Sequence, residues 1–166
     1  TLKRRLASIN IMHRYKGHYL DTKHPIIVEN LLGIKRQIGV YQKSKKPLMF
    51  DDIKEIIKEI NLSKLNEFKK LRDKSLILIG FSGGFRRSEL VSITKDDVEF
   101  VKEGVKIFVK KSKSDQSGEG MIKAIPSFRS FEYCPVDHLR KWLQINKNDL
   151  LFPISDKNVA LIIKKH

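Results

Sequence analysis

Cysteine is almost missing from this chain: Cys134 is the only one in 166 residues. That excludes an internal disulfide framework and fits a reducing, cytosolic setting. Long apolar runs are missing too. The stretch Leu76-Ile77-Leu78-Ile79-Gly80-Phe81 is far too short to span a bilayer, and no secretory signal opens the sequence. Acidic residues are scarce at one end only. Residues 1–46 hold 11 basic and 2 acidic side chains, whereas residues 47–166 hold 23 and 17. Neither an internal repeat nor a low-complexity segment is present.

What remains is a globular composition, 40% hydrophobic and 32% charged. The length allows one moderate core, or a small domain with part of another. A net charge of +15 predicts an anionic partner, for which nucleic acid is the commonest candidate. Because the excess lies in the first quarter, a DNA-facing module joined to a more balanced one is expected.

The organising stretch is Gly83-Gly84-Phe85-Arg86-Arg87-Ser88-Glu89-Leu90. It follows the apolar run, which with its flanks is long enough for a buried helix. Two glycines break that helix and supply backbone freedom. Arg86 then opens the next helix, an arrangement suited to holding a guanidinium rigidly. The planar fork of arginine matches phosphate better than any other side chain does.

Read in order, the chain is mainly helical. A first helix capped by Thr1 places Leu2, Leu6, Ile9 and Met12 on one face, with Arg4, Arg5 and His13 mostly opposite, and ends at Gly17. A second starts at Pro25 and exposes Lys35 and Arg36. The few acids on these faces favour phosphate contact over ordinary solvated surface. His13, His18 and His24 are spaced wrongly for one metal-binding helix face and read as surface or phosphate-facing. Tyr41 to Leu48 forms a basic linker whose Lys43, Lys45 and Lys46 can follow a DNA backbone.

Asp51 and Asp52 open another helix, with Ile53, Ile56, Ile57 and Ile60 inward. Ser63 is expected to cap the next, with Lys69, Lys70, Arg72 and Lys74 on its wet face. Alternation over 96–101 and 105–109 predicts a hairpin, and Met121 to Ile125 a third strand. Between the last two lies a polar tract containing Lys110, Lys111 and Lys113. Cys134, preceding a helix begun by Pro135, reads as packing. Asp156 is expected to cap a final helix. The fold class is thus α+β, mainly α with a small three-stranded antiparallel sheet.

At Gly84-Phe85-Arg86-Arg87-Ser88-Glu89-Leu90 the chain resembles the tyrosine recombinase (phage integrase) family, whose members carry Gly-x-Arg-x-Ser-Glu-Leu after an apolar helix. Ser112-Lys113-Ser114-Asp115 between strands resembles the family's lysine hairpin. Cys134-Pro135-Val136 with Leu139 and Trp142, then Leu151-Phe152, resembles the following helix and connection. The resemblance covers essentially the whole chain. It implies core-binding-domain helices over 1–42, a linker over 43–49 and a partial catalytic domain over 50–166. It also implies transesterification on duplex DNA through a 3′-phosphotyrosine, with neither metal nor nucleotide cofactor. Arg86 would stabilise the phosphate, Lys113 would act as general acid, and Glu89 would support the site. Arg87, Lys110 and Lys111 would join Arg4, Arg5, Lys35, Arg36, Lys43, Lys45 and Lys46 in DNA contact.

The family's later His-x-x-Arg motif and nucleophilic tyrosine are not found in these residues. His138-Leu139-Arg140 is one residue short and lies too early, as do Tyr15, Tyr19, Tyr41 and Tyr133. The expectation is a recombinase fragment, inactive and monomeric alone. The full-length form would be a cytoplasmic, nucleoid-associated enzyme of a mobile element, acting as a homotetramer on DNA. The alternative is a non-enzymatic DNA-binding regulator that kept the scaffold and lost the nucleophile. For single residues, Arg86 could instead be a helix-start partner of Glu89, and Lys113 one lysine of a solvated loop.

Overall fold

The computed structural model describes residues 2–39, 44, 46–110 and 118–165; Thr1, Lys43, Lys45, Lys111, Lys113 and the rest of that tract lie outside the described residues. The chain divides into two compact units, Thr1–Lys46 and Pro47–His166.

In the first unit, α1 (Leu2–Tyr15) and α2 (Pro25–Ile38) bury none of their described residues. Gly17, at φ +74°, ends the first turn of chain after α1, and Pro25 sits at the start of α2 as its fixed φ favours. His24 does more than face solvent: its Nδ1 accepts the Ile26 N–H at 3.3 Å and caps α2. An open groove of about 410 Å³ lies between the helices, lined by Leu6, Ala7, Val28 and Leu31 with Lys3 and Lys35 at its edges.

The second unit holds the core. It runs α3 (Phe50–Leu62), α4 (Glu67–Ser82), the short α5 (Arg87–Leu90), a 3-10 turn (Lys95–Asp97), strands β1 (Val98–Val101), β2 (Gly104–Val109) and β3 (Met121–Pro126), then α6 (Pro135–Ile145) and α7 (Asp156–Lys165). Ile53, Ile56, Ile57 and Ile60 of α3 are buried together with Ile77 and Leu78 of α4. The opposite side of α4, at Leu76 and Ile79, packs with the sheet and α6 through Ile107, Ile125, Leu139 and Trp142. An α4 that is apolar on both sides is what a central helix requires.

The three strands form an antiparallel meander, β1-β2-β3. Gly104 pairs with Val101 on one side and Pro126 on the other. A Cβ there would stand 2.1 Å from the Ile125 carbonyl oxygen, so glycine is needed for close approach.

Local details depart from the expected pattern. Ser63 ends α3, its Oγ donating to the Ile60 carbonyl at 2.7 Å, and Asn66 caps α4 by accepting from the Lys69 N–H at 2.9 Å. Both residue types cap helices, so the sequence alone did not rank them. Arg72 and Lys74 are half-buried, not wet: Arg72 pairs with buried Asp73 at 2.7 Å, and Lys74 reaches Asn61 at 2.9 Å. Burial lowers the Lys74 pKa. Asp96 and Asp97 belong to the 3-10 turn, because Asp97 Oδ2 accepts from both the N–H and the hydroxyl of Thr94. At the other end Ser155 caps α7, its Oγ accepting the Asn158 N–H at 3.3 Å, which makes Asp156 the first helical residue.

Cys134 is fully buried, and its sulfur accepts the Phe128 N–H, which supports packing. His138 is buried as well, with Nε2 at 2.9 Å from the Glu132 carbonyl. Arg140 instead lies over the Phe100 ring at 4.1 Å, so the two residues serve separate packing roles. Burial pushes the His138 pKa below its usual value, against the opposing carbonyl of Glu132. A depressed folded-state pKa means that the unfolded chain binds the proton first as pH falls. Stability from neutral His138 is therefore present above about pH 6.5 and is lost as pH drops toward the folded value. Thermal unfolding across pH 7.5 to about 5 is expected to show this loss, and His138→Gln to flatten it.

Candidate nucleic-acid interface

The corner between α4 and α5 is built from two glycines with different tasks. Gly84 takes φ +56°, the left-handed turn that ends many helices. The Phe85 N–H then reaches back to the Gly80 carbonyl at 3.0 Å and closes the corner. Gly83 is needed for space, since a Cβ there would meet the Phe85 ring at 2.2 Å.

Arg86 follows as the residue capping α5, in extended conformation at φ −72° and ψ 150°. Its backbone N–H donates to Glu89 Oε2 at 2.9 Å, and its Nη1 donates to Oε1 at 2.8 Å. One carboxylate thus fixes both the main chain and the side chain of Arg86. Glu89 is 2% exposed while the Arg86 side chain stays 48% exposed. The pair with Glu89 is formed, and the guanidinium still meets solvent.

A third residue joins them. Lys123 of β3 donates to the Gly84 carbonyl at 3.0 Å and to Glu89 Oε2 at 3.3 Å, and its ammonium lies 4.2 Å from the Phe85 ring centroid. Sequence reading missed it. The usable signal was its phase: Lys123 and the core residue Ile125 are two apart, so they share a face of the strand.

Arg87 is exposed beside an apolar groove of about 170 Å³ lined by Leu48, Ile53, Leu90 and Val159. Lys110 Nζ sits 2.9 Å from Asp97 Oδ1 and 3.3 Å from the Thr94 hydroxyl. Burial would raise the Asp97 pKa, but the hydrogen bonds from Thr94 and Lys110 outweigh it and hold the carboxyl low. Arg4, Arg5, Lys35, Arg36 and Lys46 are exposed. Lys43, Lys45, Lys111 and Lys113 fall outside the described residues. Among the described residues no His, Cys, Asp or Glu cluster could hold a metal ion, and no helix is long and apolar enough to cross a membrane.

Known proteins resemble this chain in sequence and in fold. An "integrase/recombinase xerD homolog" of Selenomonas ruminantium is 37% identical over 183 aligned positions, covering 100% of this chain and 53% of that protein. The chain thus spans about half the length of that curated relative. Among solved structures, XerA recombinase superposes with a TM-score of 0.52 at 17% identity, over 98% of this chain and 57% of its own. XerH site-specific recombinase, solved bound to its difH substrate before cleavage, gives 0.50 at 19% identity, over 91% and 45%. These two likenesses speak for the fold. The phage integrase family itself is matched over residues 46–164, most of the second unit, and the chain belongs to that family.

Proposed function

We propose that this chain supplies half of a DNA strand-transfer site, with Arg86 as its phosphate-stabilising cation, and that the full-length protein is a tyrosine-type site-specific recombinase. The observation carrying this reading is the half-exposed Arg86 guanidinium, oriented by a buried carboxylate that also fixes its backbone. When a tyrosine attacks the scissile phosphate, negative charge grows on the nonbridging oxygens. A donor placed in advance stabilises that charge without reorganising. The leaving 5′-oxygen needs a proton, a role assigned to Lys113.

The surplus of basic residues in 1–46 makes that unit a DNA-backbone module, and affinity is then dominated by phosphate contacts. The XerH complex with difH supports duplex DNA as the substrate class. The full-length protein would work as a homotetramer on paired sites in the cytoplasm, without a cofactor.

Two measurements test the reading. Residues 1–166 are expected to bind duplex DNA with an affinity that falls about 10³–10⁵-fold between 50 and 200 mM salt, if six to ten phosphates are contacted. Salt-independent binding would contradict the backbone module. On a nicked suicide duplex, the full-length protein is expected to form a covalent protein–DNA adduct and residues 1–166 none. An adduct from residues 1–166 would refute the absent-nucleophile account. Its absence from the full-length protein would favour the DNA-binding regulator.

A further inference from the structure

The Arg86–Glu89 pair raises an electrostatic difficulty for a phosphate site. A guanidinium paired with a carboxylate shares its charge with it, and its pull on a phosphate is weakened. We propose that Lys123 is a positioning residue that offsets Glu89 and keeps the Arg86 corner net positive toward the scissile phosphate; this rests on the reading of Arg86 given above. The three groups together sum to one positive charge. The geometry fits that role and not direct substrate contact: the Lys123 side chain is only 17% exposed and its ammonium points at Glu89 and the Gly84 carbonyl.

Three groups hold its ammonium in place. The Gly84 carbonyl and Glu89 Oε2 accept hydrogen bonds from it, while the Phe85 ring offers its negative face at 4.2 Å. The same contacts tie β3 to the glycine corner. Lys123 therefore links the hairpin to the corner that carries Arg86, and a shift of the strand is felt at Glu89.

The test uses single-turnover cleavage by the full-length protein, comparing Lys123→Met, Lys123→Gln and Lys123→Arg with Arg86→Ala. The neutral variants are expected to cleave about 10–100-fold more slowly, the loss given by one hydrogen bond to a charged group. Duplex affinity should hold, and Lys123→Arg should recover most of the rate. On a duplex whose scissile phosphate is replaced by a neutral methylphosphonate, the penalty of the neutral variants should shrink, since the ground-state charge is gone and only one nonbridging oxygen is left to gain charge. A merely structural role would carry the same penalty to both duplexes, and that result overturns the proposal. So does a Lys123→Arg variant no better than the neutral ones, or thermal unfolding that shows both neutral variants to be misfolded. Wild-type cleavage by a neutral variant beside an inactive Arg86→Ala sinks the proposal and leaves the role of Arg86 standing. Wild-type cleavage by Arg86→Ala overturns the reading beneath it.

Discussion

Arg86→Ala in the full-length protein is expected to slow DNA cleavage by about 10²–10³-fold, the loss typical of one pre-placed donor to a developing oxyanion. Duplex binding should change little, because affinity is spread over many backbone contacts. The fold should survive as well. Removing the guanidinium leaves Glu89, 2% exposed, with the Lys123 ammonium at 3.3 Å and its bond from the backbone N–H of residue 86. That carboxylate is not stranded, which is the condition under which breaking a buried pair becomes most costly. Single-turnover kinetics and thermal unfolding on the same preparation decide the matter. A variant that cleaves normally, or one that loses its fold, would return Arg86 to a helix-start residue. Arg86→Lys should recover only part of the rate, since an ammonium lacks the fork that engages Glu89 and phosphate together.

Trp142→Ala is expected to cost about 3–5 kcal/mol, a large fraction of the stability of an ordinary domain. Trp142 is fully buried and sits where three parts of the second unit meet. Its indole N–H donates to the Leu151 carbonyl at 2.7 Å, its ring meets Phe68 edge-on at 4.9 Å, and it stacks on Phe152 at 6.4 Å. Truncation removes a large apolar volume and leaves the Leu151 carbonyl, among the described residues, with the longer bond from the Asn146 amide at 3.2 Å. Trp142→Phe keeps most of the volume and should cost clearly less. Chemical denaturation of the two variants gives the comparison; equal losses would mean that the indole N–H bond and the added volume, not the ring that Phe retains, carry the stabilisation.

Much of this architecture was readable because its signals are local. Glycines at 83 and 84 announce a helix end, and Ile53, Ile56, Ile57 and Ile60 announce an inward stripe, whatever surrounds them. The Arg86–Glu89 pair was readable for the same reason, being three residues apart on one short helix. Contacts spanning long stretches of chain were not. Lys123 meets Glu89 across 34 residues, and Lys110 reaches Thr94 across 16. In an alternating strand a lysine by type reads as solvent-facing; its phase with Ile125 puts it on the inner face, and the meander and its register bring it to the glycine corner. Asp97 misled for a related reason. Its side chain feeds the backbone of Thr94, and such capping competes with strand pairing in a way that hydrophobic alternation does not reveal.

The register of β3 carries a final consequence. Ile125, at the heart of the core, and Lys123, at the Arg86 corner, occupy alternate positions on one face of the same strand. Sliding that strand by a single residue would turn both away at once, replacing them with Ala124 and Pro126 or with Ile122 and Ala124. Whatever drift the connecting tract accumulates in length, the segment after it is held to one alignment by two unrelated demands, and neither can be relaxed while the other is kept.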